Sequence, residues 1–161
     1  MSGQLSSGWR FRPFSVIDDF TKQCHTITVD TSISGHRVAR ELNRLIDLHG
    51  RPQVIVCDNG VIVCDNGREF ISRDLDLWAY QKDVVLDFSR PGTPMDNAFI
   101  ESFNGKFRAE CLNAHWFMSL DDARLKMEEW RRDYNEVRPH SAIGNNTPVS
   151  LQNSSGPLAP P

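Results

Sequence analysis

Between Phe14 and Asp30 the chain sets short apolar runs against polar turns. FSVIDDF (14–20) and CHTITVD (24–30) read as two strands joined by Thr21-Lys22-Gln23. The period then lengthens. Val38, Leu42, Leu45 and Ile46 share one face of a helix, opened by the capping hydroxyl of Ser34 and closed by His49 and Gly50. VIVCD is a β-branched run between turn residues, the mark of a buried strand. Ser72 is expected to open a second helix carrying Leu75, Trp78 and Ala79, and VVLDF (84–88) is a further strand. SRPGTPMDN reads as a loop with two prolines. A third helix starts near Pro94, a favoured first-turn position, and carries the stripe Phe99, Phe103, Phe107. Ser119 caps the last helix, whose apolar positions Ala123, Met127, Trp130, Tyr134 and Val137 recur at helical spacing. A strand pair followed by alternating strands and helices predicts an α/β fold, a mixed sheet flanked by helices.

One feature breaks this regular order. Residues 54–67 read VIVCDNGVIVCDNG, seven residues repeated without change. As a unit, VIVCDNGVIVC suits a β-hairpin, since Asn-Gly favours a type I′ turn between apolar runs. Splicing seven residues into a strand would reverse its in/out alternation, so an in-line insertion is disfavoured. Looping out one copy costs little entropy, about 0.6 kcal/mol per doubling of loop length. The preferred reading is a tandem duplication whose second copy is the working one, because Glu69, Phe70 and the next helix follow it directly.

Length and composition narrow the class. The 161 residues make one domain, with 39% hydrophobic and 24% charged residues, ordinary for a soluble globular chain. A net charge of −3 excludes a uniformly basic nucleic-acid binder but leaves room for a local basic strip. Cys24, Cys57, Cys64 and Cys111 form no CxxC pair and the histidines are scattered, so the spacing does not match a zinc site. Free cysteines with apolar neighbours fit a reducing cytoplasm. No apolar run approaches the ~20 residues of a membrane span, so no membrane partner is expected. Residues 1–8 and 151–161 are small, polar or rich in proline and glycine, and both read as disordered tails around a core at 9–150.

Two positions carry candidate chemistry. A strand ending in Asp-Asn-Gly puts a carboxylate at the C-terminal tip of a buried strand, where open α/β sheets place their sites. Such an aspartate suits a hard divalent cation, although Asp-Asn-Gly taken alone reads first as a plain turn. Glu101 lies on the third helix opposite Phe99, sharing a polar face with Asn97, Asn104, Gly105 and Arg108. That face is suited to a phosphate backbone, or is simply solvated.

Four strings in order tie these positions together: GWRFRPFSVIDDFTKQ, DNGREFIS, RPGTPMDNAFIESFNGKFRAECLNAHWF and WRRDYNEVRPHSAIGNNTP. From about Gly8 to Pro148 the chain resembles the catalytic core of bacterial insertion-sequence transposases of the insertion sequence 3 family, itself similar to retroviral integrases. The resemblance implies a ribonuclease-H-like fold. It implies DNA as partner, both element ends and target, a homo-oligomeric working state, and a bacterial cytoplasmic, nucleoid-associated location. It implies metal-dependent phosphodiester hydrolysis and strand transfer with Mg2+ or Mn2+, two ions held by an Asp, Asp, Glu trio.

In the family, 35 residues separate the DNG aspartate from the glutamate of the NAFIESFNG motif. Asp65 and Glu101 have that spacing here, whereas Asp58 would give 42. The resemblance therefore nominates Asp65 and Glu101 as catalytic and metal-binding. Asn97, Asn104, Arg108, Arg138 and His140 are the DNA-contact candidates, with helix capping the alternative for Arg138. Two metal ions about 4 Å apart would serve both the attacking and the leaving oxygen of an in-line displacement.

The family's first aspartate belongs to a strand upstream of the GWRFR-like segment. Asp18 and Asp19 match a different family pair and are not its substitutes. The expectation is a core with its first strand truncated. It would be either a transposase catalytic core inactive in this form or a remnant that only binds DNA or pairs with intact transposase.

Overall fold

The computed structural model describes residues 1–57, 68–88 and 94–154. Among them the order is β1 (Gly3–Gln4), β2 (Arg10–Ile17), β3 (Cys24–Asp30), α1 (Gly35–His49), β4 (Val54–Cys57), α2 (Arg68–Lys82), β5 (Val85–Phe88) and α3 (Pro94–Phe107). A π-helical turn (Arg108–Leu112), α4 (Leu120–Glu136), a 3-10 turn (Ser141–Ile143) and α5 (Pro148–Ser154) complete it. The mixed α/β character expected from the pattern is present.

β1, β2 and β3 form an antiparallel sheet, with Gly3 opposite Phe11 and Phe14 opposite Thr28. β4 and β5 pair in parallel from Val54–Val85 to Cys57–Phe88. Among the described residues no ladder joins these two sheets. They are linked instead by shared packing: Phe14 and Val16 of β2 and Ile55 and Leu86 of β4 and β5 meet Val38, Leu42, Leu75 and Trp78 of α1 and α2. The opposite face of β2–β3 carries the larger core. Phe103 and Phe107 of α3 interlock with Trp130 and Tyr134 of α4, ring centroids 5.0–5.5 Å apart across the helices.

The caps follow the sequence. Ser34 Oγ accepts from the Arg37 N–H at 3.2 Å and Ser119 Oγ from the Asp122 N–H at 3.1 Å. Gly50 closes α1 at φ 89°, where a side chain would be strained. Asn135, fully buried, makes two hydrogen bonds of 2.9 Å to the backbone N–H and C=O of Cys24 and so pins α4 to the start of β3. Arg131 reinforces the joint, donating to Cys24 O at 2.9 Å while paired with Glu128.

Several expectations are corrected. The first eight residues are not a free tail: Gly3–Gln4 is laddered to β2, and the Ser6 N–H donates to Phe117 O at 2.7 Å. At the other end α5 runs through residue 154, so the expected tail from 151 begins within a helix. α2 starts at Arg68, a turn earlier than Ser72. Val137 lies past the end of α4 and is exposed, because helical spacing no longer dictates its direction there. Phe99 is half-buried rather than central, with Lys22 Nζ 4.3 Å from its ring centroid.

The duplicated stretch is corrected too. The first VIVC is not looped out; it is β4. Only residues 50–53 separate it from the end of α1, and the Val85 N–H donates to Gln53 O at 3.0 Å, so the first copy reaches β5 in register. The second copy, and with it the expected hairpin, falls outside the described residues.

Candidate active site and nucleic-acid surface

Glu101 takes its direction from the helix that carries it. Phe103 and Phe107 lock α3 into the aromatic core, and this turns Glu101 outward as the spacing requires. Its carboxylate is exposed, beside exposed Gly105 and Arg108 and half-buried Asn104. Asn97 belongs to α3, but its side chain falls outside the described residues, as do Asp58 and Asp65 altogether.

Along the chain Asp58 directly follows the last residue of β4. The strand that sequence reasoning assigned to the second copy thus precedes Asp58, while the 35-residue spacing points to Asp65. The sequence reading preferred Asp65 to Asp58 on spacing; the four-residue link after α1 puts Asp58, too, directly behind a strand in the chain.

Asp18 and Asp19 belong to a turn. Asp18 Oδ1 accepts from the N–H groups of Phe20 and Thr21 at 2.9 and 2.6 Å and from the Thr21 hydroxyl. Burial alone would raise its pKa, but these hydrogen bonds outweigh burial and hold it below the usual carboxylate range. Asp19 pairs with Lys22 at 2.6 Å. Both carboxylates are thus engaged within the turn itself. Among the described residues no group of three or more His, Cys, Asp or Glu is arranged to hold a metal ion. The described donors alone therefore do not fit a pair of divalent ions.

The two C-terminal DNA candidates have internal partners. Arg138 forms ion pairs with Asp133 and Glu110 and lies 5.7 Å from the Trp130 ring centroid. Its guanidinium ties the end of α4 to the π turn rather than capping helix carbonyls. His140 is buried, its Nε2 2.9 Å from Tyr134 O and its ring against Tyr134. This corrects the expectation for His140: a phosphate contact would require breaking the bond that holds the turn after α4. The three described cysteines are equally inward. Burial pushes the Cys24 thiol up to about 12 and those of Cys57 and Cys111 to about 11, so none is a ready nucleophile.

Two family models, both described as integrase core domain, match residues 3–94 and 82–148. An insertion element IS407 protein of 31.7 kDa from Burkholderia multivorans is 50% identical over 139 residues, 86% of this chain and 48% of its own length. The chain belongs to the integrase-core transposases of insertion elements.

Other members of this transposase family agree. An insertion element IS476 protein from Xanthomonas euvesicatoria is 44% identical over 147 residues, 91% of the chain and 40% of its own length. Transposase InsF for insertion sequence IS3A of Escherichia coli is 28% identical over 96 residues, 59% of the chain and 33% of its own length. The chain thus spans half or less of the curated relatives it matches. Among solved structures, the HTLV-2 integrase catalytic core domain in complex with magnesium superposes with a TM-score of 0.63 at 14% identity, covering 94% of this chain and 90% of that one. The BIV integrase catalytic core domain gives 0.62 at 14% identity, covering 96% and 91%. These likenesses establish the ribonuclease-H-like fold.

Proposed function

We propose that this chain is the catalytic-core portion of an insertion-element transposase, acting on the DNA of element ends and target through phosphodiester cleavage and strand transfer. The observation that carries the reading is Glu101. It is a carboxylate on the solvent face of a helix fixed from behind by Phe103 and Phe107, with Asn104 and Arg108 beside it. Glu101 and an Asp-Asn-Gly aspartate are the two carboxylates of the site, with Asp65 nominated by spacing and Asp58 by its place after β4. The cofactor is Mg2+ or Mn2+, and the working form is an oligomer in the bacterial cytoplasm. Arg108, exposed and without an ion pair among the described residues, is the favoured DNA-contact residue, whereas Arg138 acts as a strut.

A second reading assigns the chain binding without chemistry. In it the chain binds DNA, or pairs with intact transposase, without cutting. One assay separates the two. Strand transfer is measured on DNA carrying the element's ends, with magnesium or manganese, for the chain and for Glu101→Gln, Asp65→Asn and Asp58→Asn. Joined product abolished by Glu101→Gln supports the first reading, and the aspartate variant that also abolishes it is the partner. DNA retention without product, unchanged in all three variants, supports the second. Neither retention nor product would overturn both.

A further inference from the structure

Far from Glu101 in sequence, a cleft of about 500 Å³ opens between β1 and the segment that follows the π turn. Its walls include Arg10, His115 and Trp116. We propose that this cleft binds one unpaired nucleotide of a DNA strand, its base stacked on Trp116 and its phosphate held by Arg10. The proposal rests on the transposase reading and names the part of the DNA that is not duplex.

Trp116 is the first reason. Its indole is 83% exposed, although the next residue, Phe117, is buried in the core. An exposed tryptophan on a loose segment would mean little, but this one is rigidly mounted. Lys126 Nζ donates to Trp116 O at 2.7 Å and to Asp122 Oδ2 at 2.8 Å, and Phe117 O accepts from the Ser6 N–H at 2.7 Å. The backbone is held on both sides while the ring is left in water. That is the form of a stacking platform whose ordering cost is already met before a ligand arrives.

The cleft's chemistry is the second reason. No carboxylate is among its lining residues, and Asp122, whose carboxylate accepts from the Met118 N–H beyond this segment, is paired with Lys126. Arg10 is exposed and makes no ion pair among the described residues. The hydrogen bond between His115 Nδ1 and Cys111 O, 3.0 Å long, leaves Nε2 of that ring facing away from the backbone as a further polar contact. A single cation, polar side chains and an aromatic face suit a phosphate joined to a planar base. The volume falls within the range of sites for small ligands.

Why unpaired? A base within a duplex has both faces covered by its neighbours, so only a frayed, flipped or single-stranded base offers a π-face to the indole. Stacking of this kind tolerates any base, which suits strand ends of varied sequence.

The test uses the full chain and a labelled oligothymidylate, read by fluorescence anisotropy. Trp116→Ala should weaken binding by about 5- to 150-fold, the factor equivalent to one base stack, while Trp116→Phe retains most of the affinity. Arg10→Gln should flatten the salt dependence by about 0.7 in log–log slope, one single-strand phosphate. An abasic version of the strand should bind the wild-type chain as weakly as the normal strand binds Trp116→Ala, and Trp116→Ala should not distinguish the two strands. Equal melting temperatures of the variants exclude unfolding as the cause, as expected for exposed side chains. The proposal is overturned if Trp116→Ala binds oligothymidylate like wild type, or if removing the bases has no effect. It is also overturned if the substitution changes only the self-association of the chain in ultracentrifugation. Duplex carrying the element's ends is titrated in parallel. Loss of duplex binding by the wild-type chain counts against the transposase reading alone, while the oligothymidylate result still decides the cleft.

Discussion

The two faces of the molecule are built to different standards. Behind β2 and β3, α3 and α4 bring Phe103, Phe107, Trp130 and Tyr134 into edge-on and stacked contact, and the buried Asn135 is paired with the backbone of Cys24. At β4 and β5 only one face is covered. Ile55 and Leu86 pack on α1 and α2, while Val54, Val56 and Val85 on the other face stand 49%, 53% and 61% exposed. Stability should therefore concentrate in the aromatic half, which also aims Glu101. The half that carries β4 and β5 contributes less, and its bare valines mark where something apolar could still be gained.

The largest effect that would break this comparison is loss of a ring from the aromatic half. Trp130→Ala should cost about 3–5 kcal/mol, since it leaves a cavity beside Phe103 and Phe107 and strips partners from Tyr134. Chemical denaturation of the variant measures it, and a loss below 1 kcal/mol would mean the two halves are not unequal. Asn135→Ala should follow at roughly 1–3 kcal/mol, because the buried N–H of Cys24 would lose its side-chain acceptor while its C=O would keep only Arg131. Hydrogen exchange at the Cys24 amide should rise in that variant ahead of amides in β4; the reverse order would contradict the assignment of α4 as the stronger clamp.

A smaller effect should appear with pH. The hydrogen bond from Arg131 lowers the Glu128 carboxyl below its ordinary value of 4.5, against the opposing effect of burial. A depressed folded-state pKa contributes stability above the unfolded value and loses it as pH falls through the folded value. The melting temperature should thus drop on acidification below about pH 4.5, and Glu128→Gln should blunt that drop. The outcome that counts against it is an identical acid profile for both proteins.

How far the sequence foretold this arrangement depended on whether a local rule governed the position. The hydroxyl caps at Ser34 and Ser119 were legible because a cap is settled within four residues. The outward turn of Glu101 was legible because Phe103 and Phe107 fix the phase of its helix. Val137 and His140 were misread: beyond the end of α4 the chain turns, and contact with Tyr134, not periodicity, decides which residue goes in. The use of the first VIVC as β4 was hidden for a related reason. Two identical strings have identical propensities, so only the length of the link from α1 and the register with Val85 distinguish them. Arg138 could be read as cationic and near a helix end, yet its partner Glu110 lies 28 residues away, beyond any local pattern.

The π turn after α3 solves a problem of angular phase. Phe99, Phe103, Phe107 and Cys111 are spaced by four, and in an uninterrupted α-helix each such step overshoots a full revolution by about 40°. Three steps would carry Cys111 roughly 120° round from Phe99, off the core side. Between Arg108 and Leu112 the ladder widens instead, with the Asn113 N–H reaching back five residues to Arg108 O at 2.8 Å. Each residue there advances by a smaller angle, so part of the accumulated overshoot is given back and Cys111 finishes fully buried in the same core as Phe103 and Phe107. One widened turn lets a four-residue repeat keep to the core side for one step longer than a straight helix would allow.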